Sequence, residues 1–198
     1  MDFTDLKEKL KNNHFEVSVF DTKEEACAYL NKEIDGTSVA SGGSQTLKEM
    51  GILEMLKKHN EVIERNDKED TAVTMQKQMT TDIYLLSANA IDAEDGALLN
   101  IDGNGNRVSS SLYGHKKIYF VAGKNKVSKD FHTALSRLRN VVAPKNTVRL
   151  CKNTPCRTGG HCFDCNSDDR ICNALVVYWK KIRSMDMEVV LINEELGY

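Results

Sequence analysis

KKIYFVAG, residues 116–123, is the strongest strand signal in the chain, and its neighbours on either side decide the fold around it. Upstream, DIYLLSANAI (82–91) reads as an apolar strand and its exit. GALLNID (96–102) is a further strand, and GNGN (103–106) is a turn cluster that suits a hairpin or a ligand loop. Further back, Phe3, Leu6 and Leu10 give an amphipathic helix over 2–12, and FEVSVF (15–20) alternates as a strand. Asp21 or Thr22 caps a helix that ends at Gly36. TSVAS (37–41) is a short strand that runs into GGSQTLKEMGILEMLKK, a glycine turn opening a helix. EVIE (61–64) is another strand, and a helix follows over roughly 70–80. Downstream, Ser128 caps a helix with Phe131, Leu135 and Leu138 on one face; Pro144 stops it, and TVRL (147–150) leads into a cysteine loop. Ser167 or Asp168 caps a last long helix with Ile171, Leu175, Trp179 and Ile182 inward, and MEVVLI (187–192) closes as a strand. Strands alternating with helices imply an α/β fold, a mostly parallel sheet flanked by helices. The reading is one domain over 1–198, with the cysteine loop 151–172 inserted before the last helix and strand. Ligands of such sheets bind outside the carboxyl ends of the strands.

The 198 residues are 40% hydrophobic and 28% charged, an ordinary globular composition. The net charge of −2 and the absence of a basic stripe exclude a nucleic-acid partner. No window reaches the apolar length of a membrane span. The start, MDFTDLKEKLKNN, is an amphipathic helix pattern and not a signal peptide, so the expected location is cytoplasmic.

Five of the six cysteines fall in CKNTPCRTGGHCFDCNSDDRIC, with the spacing C-x4-C-x5-C-x2-C-x6-C. Cys151, Cys156, Cys162, Cys165 and Cys172 are therefore candidate ligands of an iron–sulfur cluster or of zinc. The alternatives are a loop with free thiols or a redox pair, one of which could involve the remote Cys27. A cytoplasmic setting favours metal over disulfide. Cys162 and Cys165 have the two-residue spacing that wraps one metal atom. Cys172, read as lying in the first turn of the last helix, would gain thiolate character from the dipole there. Cys156, Cys162, Cys165 and Cys172 are the expected four, with His161 a neighbour.

Two loops are candidates for a small anionic ligand. Ser41, Gly42, Gly43, Ser44 and Thr46 lie between strand and helix, where glycines allow close backbone approach and the helix start offers N–H groups. The plain alternative is a tight turn capped by Ser44. The segment from Asn89 to Gly96 carries Asp92, Glu94 and Asp95; a strand-end carboxylate can act as base or nucleophile, or can simply cap nearby N–H groups. Asn100, Asn104 and Asn106 could line the same pocket. Both loops are expected at one sheet edge, and valine at Gly43 is expected to close the site. His115 could reach a strand-end pocket.

SGGSQTLKEMGI, TTDIYLLSANAIDAEDGALLNIDGNGNRVSS and KKIYFVAGKNKV together resemble the LUD domain, the lactate-utilisation family, and CKNTPCRTGGHCFDCNSDDRICN resembles the cysteine-bearing tail of one branch of it. The resemblance runs over nearly the whole chain. It implies a fold like that of the sugar-phosphate isomerase and CoA-transferase superfamily. It also implies a role in oxidation of lactate or a related small hydroxy acid, as an accessory or electron-transfer subunit working with iron–sulfur partner subunits. A second copy of the chain is a further expected partner. In CoA-transferases of this fold a glutamate beside a glycine turn is the nucleophile, and Glu94 has a similar setting, although Asp95 separates it from Gly96. The alternative implied function is thus an enzyme acting on a CoA, folate or phosphorylated substrate through Glu94.

Overall fold

The computed structural model describes residues 1–64 and 71–198. The elements run α1 (Thr4–Asn12), β1 (Glu16–Phe20), α2 (Lys23–Glu33), β2 (Ser38–Ala40), α3 (Gln45–Met50), α4 (Ile52–Leu56), β3 (Glu61–Ile63) and α5 (Thr71–Gln78). They continue with β4 (Ile83–Leu86), β5 (Ala90–Asp92), β6 (Leu98–Asp102), α6 (Asn106–Leu112), β7 (Lys117–Gly123), β8 (Val127–Ser128), α7 (Phe131–Arg137), α8 (Ala143–Arg149), α9 (Pro155–Gly159), β9 (Ala174–Tyr178) and β10 (Asp186–Ile192). The first residue of the helix expected over 70–80 lies outside the described residues.

Six strands form a wholly parallel sheet in the order β1-β10-β7-β4-β2-β3. Its central strands are apolar on both faces because both are covered. On β7, Ile118, Phe120 and Ala122 enter one core while Tyr119 and Val121 enter the other; Met187, Val189 and Leu191 of β10 side with the first, Val190 and Ile192 with the second. The second core is closed by Ala26, Cys27 and Leu30 of α2, Leu47 of α3 and Leu56 of α4. Thr22 builds a full capping box with Glu25 at the start of α2.

The first core is closed by α1 and by a second sheet, in the order β8-β5-β6-β9. The sequence reading did not separate this sheet. In the run read as an apolar strand and its exit (82–91), the strand ends at Leu86 and the exit holds a second strand: β4 stays in the parallel sheet, and β5 turns back over its face to pair antiparallel with β6.

Three expectations downstream are corrected. Asp130, not Ser128, caps α7, accepting the Thr133 N–H at 2.7 Å, while Ser128 belongs to β8. Pro144 does not stop the helix. A π turn over Leu138–Val142 joins α7 to α8, and the widened turn accommodates a proline whose missing N–H would break a regular helix. TVRL is accordingly helical. The last long helix is instead β9: Trp179 is 68% exposed and Leu175 43%, so the 171–175–179 spacing is not a buried stripe. The β-branched pair Val176–Val177 and then Tyr178 alternate faces, with Val176 and Tyr178 on the first core and Val177 on a third cluster under α7.

Candidate functional site

The chain between α8 and β9 wraps a cavity of about 350 Å³. Cys156, Cys162, Cys165 and Cys172 all line it; Cys151 does not, and stands exposed at the end of α8 with φ +52°. Ile101 from β6, Leu135, Ala143, Ala174 and Leu175 give it an apolar floor. Cys27 is buried in α2 and donates toward the Met50 carbonyl, well away in the second core.

Cys172 sits in a loop ahead of a strand, so no helix dipole acts on it; its positive neighbour is Arg170, whose basicity is raised first by a hydrogen bond to the Cys172 side chain. Arg170 also donates to the carbonyls of Cys165 (2.7 Å) and Cys172 (3.2 Å), fixing both ends of that stretch. Arg139, from the π turn, donates to Asp164 at 2.7 Å and is likewise held more basic, first by the Cys162 side chain. Among the described residues, no three His, Cys, Asp or Glu side chains already converge at metal-binding distance. His161 packs on Phe163, ring centroids 4.3 Å apart, and does not line the cavity.

The loop is stitched to the rest of the molecule through β6. The Asn173 N–H donates to the Asp102 carbonyl at 2.9 Å, and Gly103 lies against the Ile171 backbone. A Cβ on Gly103 would stand 2.9 Å from Ile171 Cα.

The second candidate region lies at the carboxyl edge of the parallel sheet. Ser41–Thr46 follow β2 and Ser87–Asn89 follow β4, and the two segments meet: Thr46 Oγ1 is 3.3 Å from Ser87 Oγ. Ser44 caps α3, accepting the Leu47 N–H at 3.3 Å, but α3 has only six residues before Gly51 ends it in the left-handed region. Asn89 is buried and exchanges bonds with β6, its Oδ1 accepting from Ile101 N while its N–H donates to Asn100 Oδ1. Asn104 is exposed in the turn after β6.

Glu94 and Gly96 are not brought to this edge. The N-terminal amine donates to Asn193, just past the end of β10, whereas Asn13 at the other end of α1 accepts from Lys181 N and donates to the carbonyls of Asp95 and Gly96. Helix α1 therefore runs antiparallel to the strands, and the 93–96 turn sits at the amino edge beside its last turn. Glu94 is exposed there, its N–H bonded to Asp92 Oδ1. His115 also lies at the amino end of its strand, buried, with Nδ1–H donating to the Thr81 carbonyl.

The steric weight of the glycine loop rests on Gly42 rather than Gly43. A Cβ on Gly42 would overlap the Tyr84 hydroxyl, on a fully buried ring, and stand 2.5 Å from Arg107 Cγ; a Cβ on Gly43 would meet nothing, and only its φ of +88° opposes a side chain. Gly42→Ala is expected to cost about 2–3 kcal/mol by overpacking, against about 1 kcal/mol for Gly43→Ala from backbone strain. Urea midpoints of the two variants check this order.

Missed by sequence reasoning were Arg139 and Arg170. Nothing in the spacing of these basic residues separates them from solvated ones; only the fold does.

A parallel sheet with loops gathered at its carboxyl edge, a second sheet laid over one face and a four-cysteine cavity beyond it define an α/β protein with two separate candidate centres. The LUD domain model matches residues 3–192, and the chain belongs to the LUD domain family. The fold is also that of a DUF162 family protein from Deinococcus radiodurans, whose crystal structure superposes with a TM-score of 0.55 at 10% identity over 96% of this chain and 95% of that one. No curated protein matches in sequence. No described helix is long and apolar enough to cross a membrane.

Proposed function

We propose that this LUD domain protein is an electron-transfer subunit in the oxidation of lactate or a related small hydroxy acid, with an iron–sulfur cluster held by Cys156, Cys162, Cys165 and Cys172. The observation that carries this reading is that four of the five clustered cysteines line one cavity while the fifth is exposed outside it. A four-iron cluster takes four thiolates. The cavity, about 350 Å³, is many times the space of one water and larger than a single tetrahedral ion fills. The floor of Ile101, Leu135 and Ala143 is apolar, and Arg139 and Arg170 would offset the negative charge that thiolates and cluster bring together. When bound, the cluster supplies one-electron transfer; the chain fixes its ligands, its dielectric and its neighbouring charge. The alternative, an enzyme acting through Glu94, gains no support from a carboxylate placed at the amino edge.

Anaerobic reconstitution with ferrous iron and sulfide tests the proposal. The expected product has about four irons and four sulfides per chain and visible absorption that bleaches on reduction. Protein that binds stoichiometric zinc but takes up no iron and sulfide would show a structural thiolate site instead.

A further inference from the structure

Residues 151–173 are exposed or half-buried with a single exception among the described residues: Thr154 is buried, 6% exposed. It precedes α9 with the extended backbone of a helix cap (φ −128°, ψ 149°), yet its side chain makes no capping bond. Threonine at such a position ordinarily accepts an amide N–H of the first turn. Here the hydroxyl oxygen lies 3.3 Å from Cys156 Sγ instead, its one side-chain partner among the described residues. A second hydroxyl flanks the same sulfur. Thr147 Oγ1, 1% exposed, lies 3.7 Å from Cys156 Sγ, but it donates its proton to the Pro144 carbonyl at 2.8 Å. A hydroxyl has one proton to give, so Thr147 can only accept from a Cys156 S–H, whereas Thr154 is free to donate. A metal-bound cysteine has lost its proton, which leaves Thr147 nothing to accept and gives Thr154 an acceptor. Cys162 has the same kind of partner from the main chain: the Asp164 N–H donates to Cys162 Sγ at 3.3 Å.

We propose that Thr154 is a positioning residue of the cysteine cavity: its hydroxyl donates to the metal-bound Cys156 sulfur and so favours the more negatively charged, reduced state. The inference rests on the cluster assigned to Cys156, Cys162, Cys165 and Cys172. One added electron puts more negative charge on the sulfurs, so a donor aimed at one of them stabilises the reduced state more than the oxidised one and raises the potential. The electron comes from the reductant supplied; the hydroxyl keeps its proton and no ligand bond breaks. Burial of Thr154 strengthens the bond, because water is not there to replace it. Thr147, its proton already given to Pro144, has no such effect.

Dithionite redox titration of the full chain, reconstituted with iron and sulfide, tests this. Thr154→Val removes the hydroxyl and little else. It should keep about four irons per chain. Its reduction constant should fall about fivefold, a midpoint more negative by about 40 mV for one electron. Thr154→Ser restores the hydroxyl and should return the midpoint to the parent value. Thr147→Val should leave the midpoint where it is. A second arm uses cobalt(II) alone on the apo chain: the sulfur-to-cobalt charge-transfer band should move to longer wavelength in Thr154→Val and not in Thr154→Ser. Equal midpoints in parent and Thr154→Val, an equal shift in Thr147→Val, or a serine variant that stays shifted would each overturn the proposal. So would loss of iron uptake in Thr154→Val with uptake kept in Thr154→Ser, which would make the hydroxyl a prop of the loop. A parent that takes up no iron and sulfide yet binds cobalt overturns the cluster alone, and the cobalt band then decides the role of Thr154. A parent that binds neither overturns both.

Discussion

Alanine at Asp102 is expected to cost about 3–4 kcal/mol of unfolding free energy, far more than loss of a surface carboxylate. Asp102 is 3% exposed at the end of β6. Its Oδ1 accepts the N–H groups of Asn104 and Gly105, both at 3.1 Å, and its Oδ2 accepts those of Arg107 (3.1 Å) and Val108 (3.3 Å). One carboxylate thus closes the GNGN turn and satisfies the first amides of α6, whose cap residue, Gly105, has no side chain to do so. Arg107 Nε adds an ion-pair contact at 3.4 Å. Alanine leaves the Arg107 and Val108 amides without acceptors in a buried setting and strips Arg107 of its carboxylate, each loss costing on the order of 1 kcal/mol or more. Asp102→Asn keeps one oxygen for Asn104 and Gly105 but presents an NH₂ group to the other donors, so it should lose about half as much. Urea unfolding measures both; a midpoint shift at constant slope assigns the loss to native stability. Equal stability of Asp102→Ala and the parent would mean that the turn holds by backbone geometry alone.

The parallel sheet was legible because its central strands announce themselves. KKIYFVAG and MEVVLI are apolar on consecutive positions, and FEVSVF alternates, in line with their places at the centre and the edge. The second sheet was not, since its strands are three to five residues long for β5, β6 and β9 and two for β8. Ala90–Asp92 was not read as a strand of its own because it follows Ile83–Leu86 closely, as that strand's exit; tertiary packing folds it over the first core as β5. The misread last helix has a related origin. Ile171, Leu175 and Trp179 share a helical spacing, yet Trp179 faces solvent and Leu175 faces the cysteine cavity. At the sites, loops that follow strands were readable, so the meeting of Thr46 with Ser87 follows from the α/β alternation. The crossing of β5 back to the amino edge was not readable, and it carries Glu94 away.

Serine at any one of Cys156, Cys162, Cys165 or Cys172 is expected to abolish most of the iron and sulfide uptake, while Cys151→Ser leaves it near the parent level. The argument is geometric first: those four line the cavity and Cys151 stands exposed outside it, its backbone in the left-handed region. It is chemical second. A serine hydroxyl keeps the shape but stays protonated at neutral pH, so it cannot replace a thiolate near Arg139 or Arg170. Misfolding is an unsuitable explanation for such a loss, because these thiols contribute little to packing: all four are only half-buried, Cys156 in the short α9 and the other three in the chain after it, and Thr154 Oγ1 lies 3.3 Å from Cys156 Sγ. Circular dichroism of each variant verifies it. Arg139→Met and Arg170→Met should still take up iron and sulfide, but with a more negative midpoint potential, since each arginine favours the more negatively charged reduced state. Uptake that survives all four serine changes, or that is lost with Cys151→Ser, would move the ligands off the cavity wall. It would also leave the apolar floor of Ile101, Leu135 and Ala143 to some other occupant.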